Sequence, residues 1–440
     1  MDEGGQWTGK FLGVVHYCHN RGQKAGFSTL WHGPRCNCFR GRVVGWLPEE
    51  KALEERVLST RWFVPATKEM MSSKAGFILM LVAGAQLVGA GERNGPAMAH
   101  PTNTPLQWSK DGHVFIQAPQ LLPFTLKQEA EAILLHQRKS GGWPKNYERK
   151  RVFTNSQRLQ LSGDASRNDA TVDNGATHTE IRILARAYAK TRDDRYRDSA
   201  LRGIRYLLGG QYQNGGWPQR FPQPRGYQCH VTFNDNAMIG VMTLLRDIGG
   251  GNAPYDFVPP GLQRQCGSAM ERGITCILKC QIRVAGKLTA WCAQHDAHTL
   301  APRKARSYEL ASLSGLESVG IVRFLMGIEK PSEEVVTAVE GAVSWFDTAR
   351  LEGIRLVRRE DDSKARGFDY HVVEDLGAGS LWARFYDIRT NQPIFCSRDG
   401  VPRQSLSEIS YERRTGYSWL GPYAEELFRN DLPAWRKRVN

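Results

Sequence analysis

One unit recurs along this chain and constrains the fold more than anything else in it. An apolar helix end is followed by a glutamine and then by a Gly-Gly-Trp turn. Leu134-Leu135-His136-Gln137 leads to Gly141-Gly142-Trp143-Pro144, and Leu207-Leu208-Gly209-Gly210-Gln211 leads to Gly215-Gly216-Trp217-Pro218. A degenerate copy runs from Ile277-Leu278-Lys279-Cys280-Gln281 to Gly286-Lys287 and Trp291. The three glutamines lie 74 and 70 residues apart, room for two helices and two loops in each unit. Glycine suits the positive φ at a helix end. Units that cannot bury an apolar face alone stack on their neighbours. The expected fold is therefore mainly α: an α/α toroid, an incomplete α/α barrel of helical hairpins, with irregular and short-strand segments covering the cleft. The hairpins fall at 181–190 with 196–208, 237–247 with 269–281, and 318–327 with 333–349. Residues 148–170 read as a polar surface insertion, and after 353 the pattern weakens towards strand or extended loop.

The inner helices open on oxygen-rich turns. TVDNGATHTE, residues 171–180, places Asp173 and Asn174 just before the apolar run Ile181, Leu184, Ala185 and Tyr188. VTFNDNAM, residues 231–238, places Asn234, Asp235 and Asn236 before the next. One such turn is an ordinary N-cap. Two of them, with Ser312 and Ser314 before the third inner helix, point to one rim. Asp173, Asp235, Asn174 and Asn236 there are candidate ligands for a hard cation, which takes carboxylate and carbonyl oxygens.

The formal net charge is +14. Such a balance attracts a polyanion, but no long Lys/Arg run of the nucleic-acid-tail type occurs, and no nucleic-acid partner is expected. The nine cysteines contain no CxxC pair, which argues against a zinc ribbon or thioredoxin-type site. Disulfides remain open. Residues 75–90 are almost free of charge, follow Met70, Met71 and Lys74, and precede Ala97-Met98-Ala99. That pattern suits a signal-peptide core and cleavage site. Residues 1–69 then read as a mis-assigned or disordered extension, 70–99 as the signal-like segment, and 100–440 as the secreted catalytic part with its core at 122–435, without a stable membrane anchor once the signal is cleaved.

The loops of that part carry cations and aromatic rings. Lys287, Trp291 and His295 lie in KLTAWCAQHD. Arg306 lies in RSYE, Arg384 in WARFYDI, Arg398 in FCSRDG and Arg413 in YERRTGY. A lone arginine is usually solvated. A set of them in aromatic, turn-rich loops fits carboxylate recognition, because the guanidinium fork pairs bidentately with a carboxylate. His295, with no HExxH or His/Cys cluster beside it, reads as a hydrogen-bonding group and a candidate substrate contact with Lys287.

VDNGATHTEIRILARAYAKT, the two GGWP turns, VTFNDNAM, KLTAWCAQHD, RSYELASLSGLESVGIVRFLM, WARFYDI, FCSRDG and YERRTGYSWLGPY together resemble the family-ten polysaccharide lyases, pectate lyases with an α/α-toroid domain. The likeness runs in order through about 122–435, and residues 1–100 lie outside it. The resemblance implies calcium-assisted anti β-elimination of polygalacturonate by a monomer. It implies calcium on Asp173 and Asp235 with Asn174 and Asn236, Arg398 as the base, and Arg306, Arg384 and Arg413 on substrate carboxylates. Arginine is a poor base at neutral pH, so burial near cations is expected to favour the neutral form of Arg398.

Other readings stand beside this one. A glycoside hydrolase needs two carboxylates, for which Asp173, Asp235 and Glu309 could serve. A terpene-cyclase-like toroid shares the Gly-Gly-Trp turns but lacks its acidic cluster here. A non-catalytic protein could bind polyuronate in the same cleft. N-terminal sequencing of exported protein tests the signal assignment: a mature start near residue 100 is expected, and a start within 1–69 contradicts it.

Overall fold

The computed structural model describes Gln107–Trp108, Val114–Phe115 and residues 125–439. Contacts divide the chain into two compact units, Met1–Ile116 and Gln117–Asn440. In the first, β1 (Gln107–Trp108) and β2 (Val114–Phe115) pair antiparallel. The extension 1–69 and the signal-like segment 70–99 lie outside the described residues.

The second unit holds the repeats. Helix α1 (Leu126–His136) comes first, and α2 (Asn155–Gly163) lies on the polar insertion with no buried residue. Three hairpins follow: α3 (His178–Thr191) with α4 (Asp194–Gly209), α5 (Ala237–Gly249) with α6 (Pro260–Cys280), and α7 (Glu317–Met326) with α8 (Glu333–Thr348). Local chemistry starts the outer helices. Asp193 and Ser332 accept hydrogen bonds from the first free N–H groups of α4 and α8. Pro260 opens α6, where a missing N–H costs nothing. Helix α5 buries Met238, Val241, Met242, Leu244, Leu245 and Ile248. Apolar on nearly all sides, it sits between other helices, packing on α3 and α7 as well as α6.

The repeated glutamines clamp each unit to the next. Gln137 Nε2 donates to Gly141 O at 2.8 Å and to Ser199 O of α4 at 2.9 Å. Gln211 Nε2 does the same to Gly215 O at 2.9 Å and Ala269 O of α6 at 2.8 Å. Gln281 Nε2 reaches Thr289 O and Ala338 O of α8, both at 2.8 Å. One amide thus closes its own turn and holds the following outer helix. The tryptophans point back. Trp143, Trp217 and Trp291 donate their indole N–H to Ile133 O at 2.8 Å, Leu207 O at 2.7 Å and Ile277 O at 2.8 Å. Trp382 repeats this contact on Phe346 O at 2.8 Å, marking a fourth unit that has no Gly-Gly turn.

Gly141 and Gly215 have φ of 99° and 91° and rest against the carbonyls of Arg202 and Arg272, so a Cβ has no room. Those arginines also donate to Gln137 Oε1 and Gln211 Oε1. In the degenerate copy the equivalent residue is Gly341. Leu288 occupies the space beside it, and Gln281 Oε1 is buried without a hydrogen-bond partner among the described residues.

The expected mainly α toroid is corrected. Helices account for a little under half of the described residues, and packing runs as two rows, α1–α3–α5–α7 and α4–α6–α8. Among the described residues no extensive contact joins the first hairpin to the last, and the packing shown is that of the two rows. Two-stranded antiparallel ladders carry the connections. β3 (Val231–Thr232) pairs with β6 (Gln294–His295), and β4 (Arg283–Val284) with β5 (Lys287–Leu288). β7 (Leu313–Ser314) pairs with β11 (Phe385–Tyr386), β10 (Trp382–Ala383) with β14 (Leu420–Gly421), and β12 (Phe395–Cys396) with β13 (Pro402–Arg403). The longest pair is β8 (Ile354–Glu360) with β9 (Phe368–Glu374). Val357, Tyr370, Val372 and Val373 are strand-favouring types. Short ladders form elsewhere because loops buried between the helix ends must pair their backbone groups. Two short helices, α9 (Tyr411–Gly416) and α10 (Leu432–Val439), complete the unit.

All six described cysteines are buried, and Cys266, Cys276, Cys280, Cys292 and Cys396 are free, while no described helix is long and apolar enough to cross a membrane. The clamp is open to test. Gln211→Ala strips hydrogen bonds from the Gly215 and Ala269 carbonyls, and a loss of about 1–3 kcal/mol is expected, read as a lower urea midpoint. An unchanged midpoint contradicts the clamp.

Candidate active site

Two tight turns open α3 and α5 at the same end of the hairpins. Asp173–Gly175 and Asn234–Asn236 are single 3-10 turns, and they pack on each other. Asn174 has φ 50° and ψ 34°, and Asp235 has φ 50° and ψ 32°. Asn and Asp tolerate this left-handed conformation better than most residues. The backbone therefore matches Asp173 with Asn234, both buried, and Asn174 with Asp235, both exposed. Asp173 and Asp235, equated on sequence, occupy successive steps of the turn.

Asp173 is fixed from several sides. Its N–H donates to Thr171 Oγ1 at 3.1 Å, its Oδ1 accepts from Asn174 N at 3.1 Å, and Lys145 Nζ pairs with Oδ2. Asn174 donates to Asn146 Oδ1 at 3.0 Å. Asp235 accepts from Asn234 Nδ2 at 2.6 Å and from Arg384 Nη2 at 3.2 Å. These donors are carboxylate and carboxamide oxygens on touching turns, a set that fits a hard cation such as calcium. Among the described residues no three His, Cys, Asp or Glu side chains form a metal cluster, so ligand and water oxygens would have to complete the shell. The side-chain oxygen of Asn236 is seated over Gly320 of α7, where a Cβ would strike it.

Arg384 ties the second turn to α7. Its Nη2 reaches Glu317 Oε1, Asp235 Oδ1 and, at 3.3 Å, Asn234 Oδ1. Ser314 donates from Oγ to Glu317 and accepts from its N–H at 3.2 Å. Burial opposes the charge on Arg384, but Glu317, Tyr417 and Asp235 hold it above the ordinary arginine value.

Four arginines gather on two rings. Tyr308 and Tyr417 meet edge-to-face with centroids 5.4 Å apart. Arg413, Arg306 and Arg398 lie 4.5, 5.1 and 5.6 Å from the Tyr308 centroid. Arg384 and Arg306 lie 4.4 and 5.8 Å from that of Tyr417. Each cation gains from the ring face and has an acidic partner: Glu309 for Arg306, Glu317 for Arg384, and Glu412 for both Arg398 and Arg413. Accessibility separates them. The side chains of Arg398 and Arg306 are 64% and 42% exposed, against 8% for Arg413 and 6% for Arg384. The first two face solvent, whereas Arg384 braces the rim.

The expectation that burial favours neutral Arg398 is corrected: Arg398 is exposed, and Glu412 raises its pKa. Glu412, between Arg413 and Arg398, is pulled down to about 2. Arg306 differs. Burial is the largest single influence and favours its neutral form, though Glu309 outweighs it and the net direction is upward. Glu309 is itself held below the ordinary carboxylate range by Arg306 and a 2.7 Å bond from Tyr417 OH, which offset its burial.

The expectation for His295 is corrected. His295 is fully buried, accepts from Cys292 N at Nε2 (3.1 Å), pairs through Nδ1 with Leu300 O (2.8 Å) and stacks edge-on with Phe233. It fastens the 292–300 loop and is out of reach of a polymer. Lys287 lies on β5, which packs against outer helix α8 with Leu288 on Gly341. Sequence reasoning missed Lys145, Asn234, Glu317, Tyr417 and Glu412. Matching DNG with NDN step by step would have exposed Asn234. Glu317 shows no local signal, because its partner Arg384 lies 67 residues on, whereas Glu412 stands next to its partner Arg413.

Residues 137–428 match the pectic acid lyase family. A solved structure, family 10 polysaccharide lyase from Cellvibrio cellulosa, is 37% identical and covers 70% of this chain and 92% of its own, with a TM-score of 0.62. An aspartate-to-alanine mutant of family 10 polysaccharide lyase from Cellvibrio cellulosa, in complex with trigalacturonic acid, is 36% identical over 71% of this chain and 92% of its own, with a TM-score of 0.61. A search of curated proteins gave no match.

Burial also sets an acid limit. It pushes His295 down to about 4 and His178 to about 3, from an ordinary 6.5. The unfolded chain protonates first, so stability is full above pH 6.5 and is lost as pH falls through those lower values. The urea midpoint should drop between pH of about 7 and about 5. A rise would contradict the buried neutral histidines.

Proposed function

The chain belongs to the pectic acid lyase family, and from that premise we propose that it cleaves polygalacturonate by calcium-assisted anti β-elimination, releasing 4,5-unsaturated oligogalacturonides. The observation carrying this reading is the meeting of two oxygen-rich turns with the arginine set: Arg384 touches Asp235 of one turn and shares Tyr417 with Arg306. Asp173, Asp235 and Asn174 are the residues to hold calcium, which supplies positive charge beside a uronate carboxylate and so makes the C5 proton easier to remove.

The chain's own groups do the remaining work. Arg306 and Arg398 present forks to the uronate carboxylates. The base takes the C5 proton; the C5–H electron pair becomes the C4=C5 double bond, and the C4–O pair leaves with the glycosidic oxygen. By resemblance the base is Arg398, which must first leave Glu412. One observation favours a second reading, Arg306: of the two accessible arginines, it alone has burial as its largest influence, acting towards the neutral form. Either base gives an alkaline optimum, because both arginines are held in the charged form. A hydrolase is disfavoured because Glu309, its candidate acid, is held ionised by Arg306. Secretion and a monomeric state go with this proposal, since the substrate is an extended polymer.

Paired variants choose the base. Replacing the true base by alanine should cut turnover by about 10²–10⁴-fold while leaving trigalacturonate binding measurable. Glu412→Gln should shift the rising alkaline limb of the pH–rate profile to lower pH if Arg398 is the base, and leave it in place if Arg306 is. Full activity in both Arg398→Ala and Arg306→Ala, or an acidic optimum, contradicts an arginine base.

A further inference from the structure

The exposed end of the first Gly-Gly-Trp turn carries a cation that the lyase chemistry above does not use. Lys145 Nζ pairs with Asp173 Oδ2, while Asp173 Oδ1 accepts from Asn174 N at 3.1 Å. Both carboxylate oxygens are therefore engaged. The two partners differ in freedom: the lysine side chain is 45% exposed and that of Asp173 only 4%. Asp173 is held by the fold, whereas Lys145 can swing into solvent.

The placement of Lys145 is built in. Trp143 N donates to Thr177 Oγ1 at 3.0 Å, Thr177 Oγ1 donates to Thr171 O at 2.8 Å, and Thr171 N donates to Trp143 O at 2.9 Å. These bonds sew the Trp-Pro-Lys-Asn segment to the strand entering the Asp173 turn. The second unit supplies a comparison. There the residue two places after the tryptophan is Gln219, and the turn position equivalent to Asp173 is Asn234. Lysine occurs in the unit whose buried turn residue is charged, and a neutral amide in the unit whose turn residue is neutral.

Resting on the reading that Asp173 is a calcium ligand, we propose that Lys145 is the resident counter-ion of Asp173, displaced when calcium binds. In the metal-free protein the ammonium offsets a buried carboxylate that would be costly to leave alone. A divalent ion arriving at the same oxygens repels the ammonium, so binding includes breaking the Lys145–Asp173 pair. Lys145 thereby weakens calcium affinity, and does so without touching the reacting atoms.

Calorimetric titration of the whole chain with calcium chloride tests this in the absence of substrate. Lys145→Met should bind calcium more tightly, on the order of tenfold, and calcium should raise its melting temperature more than that of the natural protein. Lys145→Gln, which copies Gln219, should behave alike and serves if the methionine variant does not fold. Unchanged or weaker affinity in the variants overturns the proposal while leaving Asp173 a ligand, provided Asp173→Asn lowers the affinity. No calcium binding to any of these proteins overturns the calcium reading itself, and this proposal with it.

Discussion

The glutamine clamp is the interaction on which the rest depends. A helical hairpin of this kind has an apolar face on each side and no reason of its own to stop at one orientation. The amide of Gln137, Gln211 or Gln281 fixes that orientation by donating at once to its own turn and to the next outer helix. Because the amide is largely buried, misalignment leaves two carbonyls unsatisfied, and each costs more than a typical hydrogen bond contributes. The returning indole N–H groups set the depth of each turn against the helix before it. Together they bring the starts of α3, α5 and α7 to one end of the rows, which is where Asp173, Asp235 and Glu317 lie.

Charge at that end is arranged in matched pairs. Asp173 meets Lys145, Asp235 and Glu317 meet Arg384, Glu309 meets Arg306, and Glu412 lies between Arg398 and Arg413. Buried ions need such partners, since an unpaired charge in a low-dielectric site is strongly disfavoured. On the proposed function, a polyanionic substrate would enter by exchange, its carboxylates taking over cations that internal carboxylates hold at rest. This suits Arg306 and Arg398, which are accessible, and not Arg384, whose fork is already committed to the frame.

Much of this was legible in the sequence, for physical reasons that also mark the limits. The Gln and Gly-Gly-Trp spacing revealed the hairpins because the clamp needs those residue types at those positions. The two acid-amide turns were visible because Asn and Asp tolerate the left-handed backbone there. The mainly α toroid, an incomplete α/α barrel, was not right: the connections pair their buried backbone as short ladders, and the helices run in rows. The third unit looked degenerate because a short ladder, Arg283–Val284 with Lys287–Leu288, stands where the other units have a Gly-Gly-Trp turn. His295 misled because its Nδ1 and Nε2 bonds are backbone contacts that no motif advertises. Glu317 escaped notice because folding brings Arg384 to it from 67 residues on, and Glu412 because it lies between two arginines read as base and substrate contact.

The central claim is that this rim breaks a uronate chain by elimination with help from calcium. Ultraviolet absorbance of polygalacturonate treated with the purified protein at alkaline pH, with calcium and again with a chelator, tests it most directly. The account predicts a rise that the chelator abolishes, since elimination leaves a conjugated C4=C5 double bond. New reducing ends without that rise, or a rise indifferent to the chelator, would contradict it.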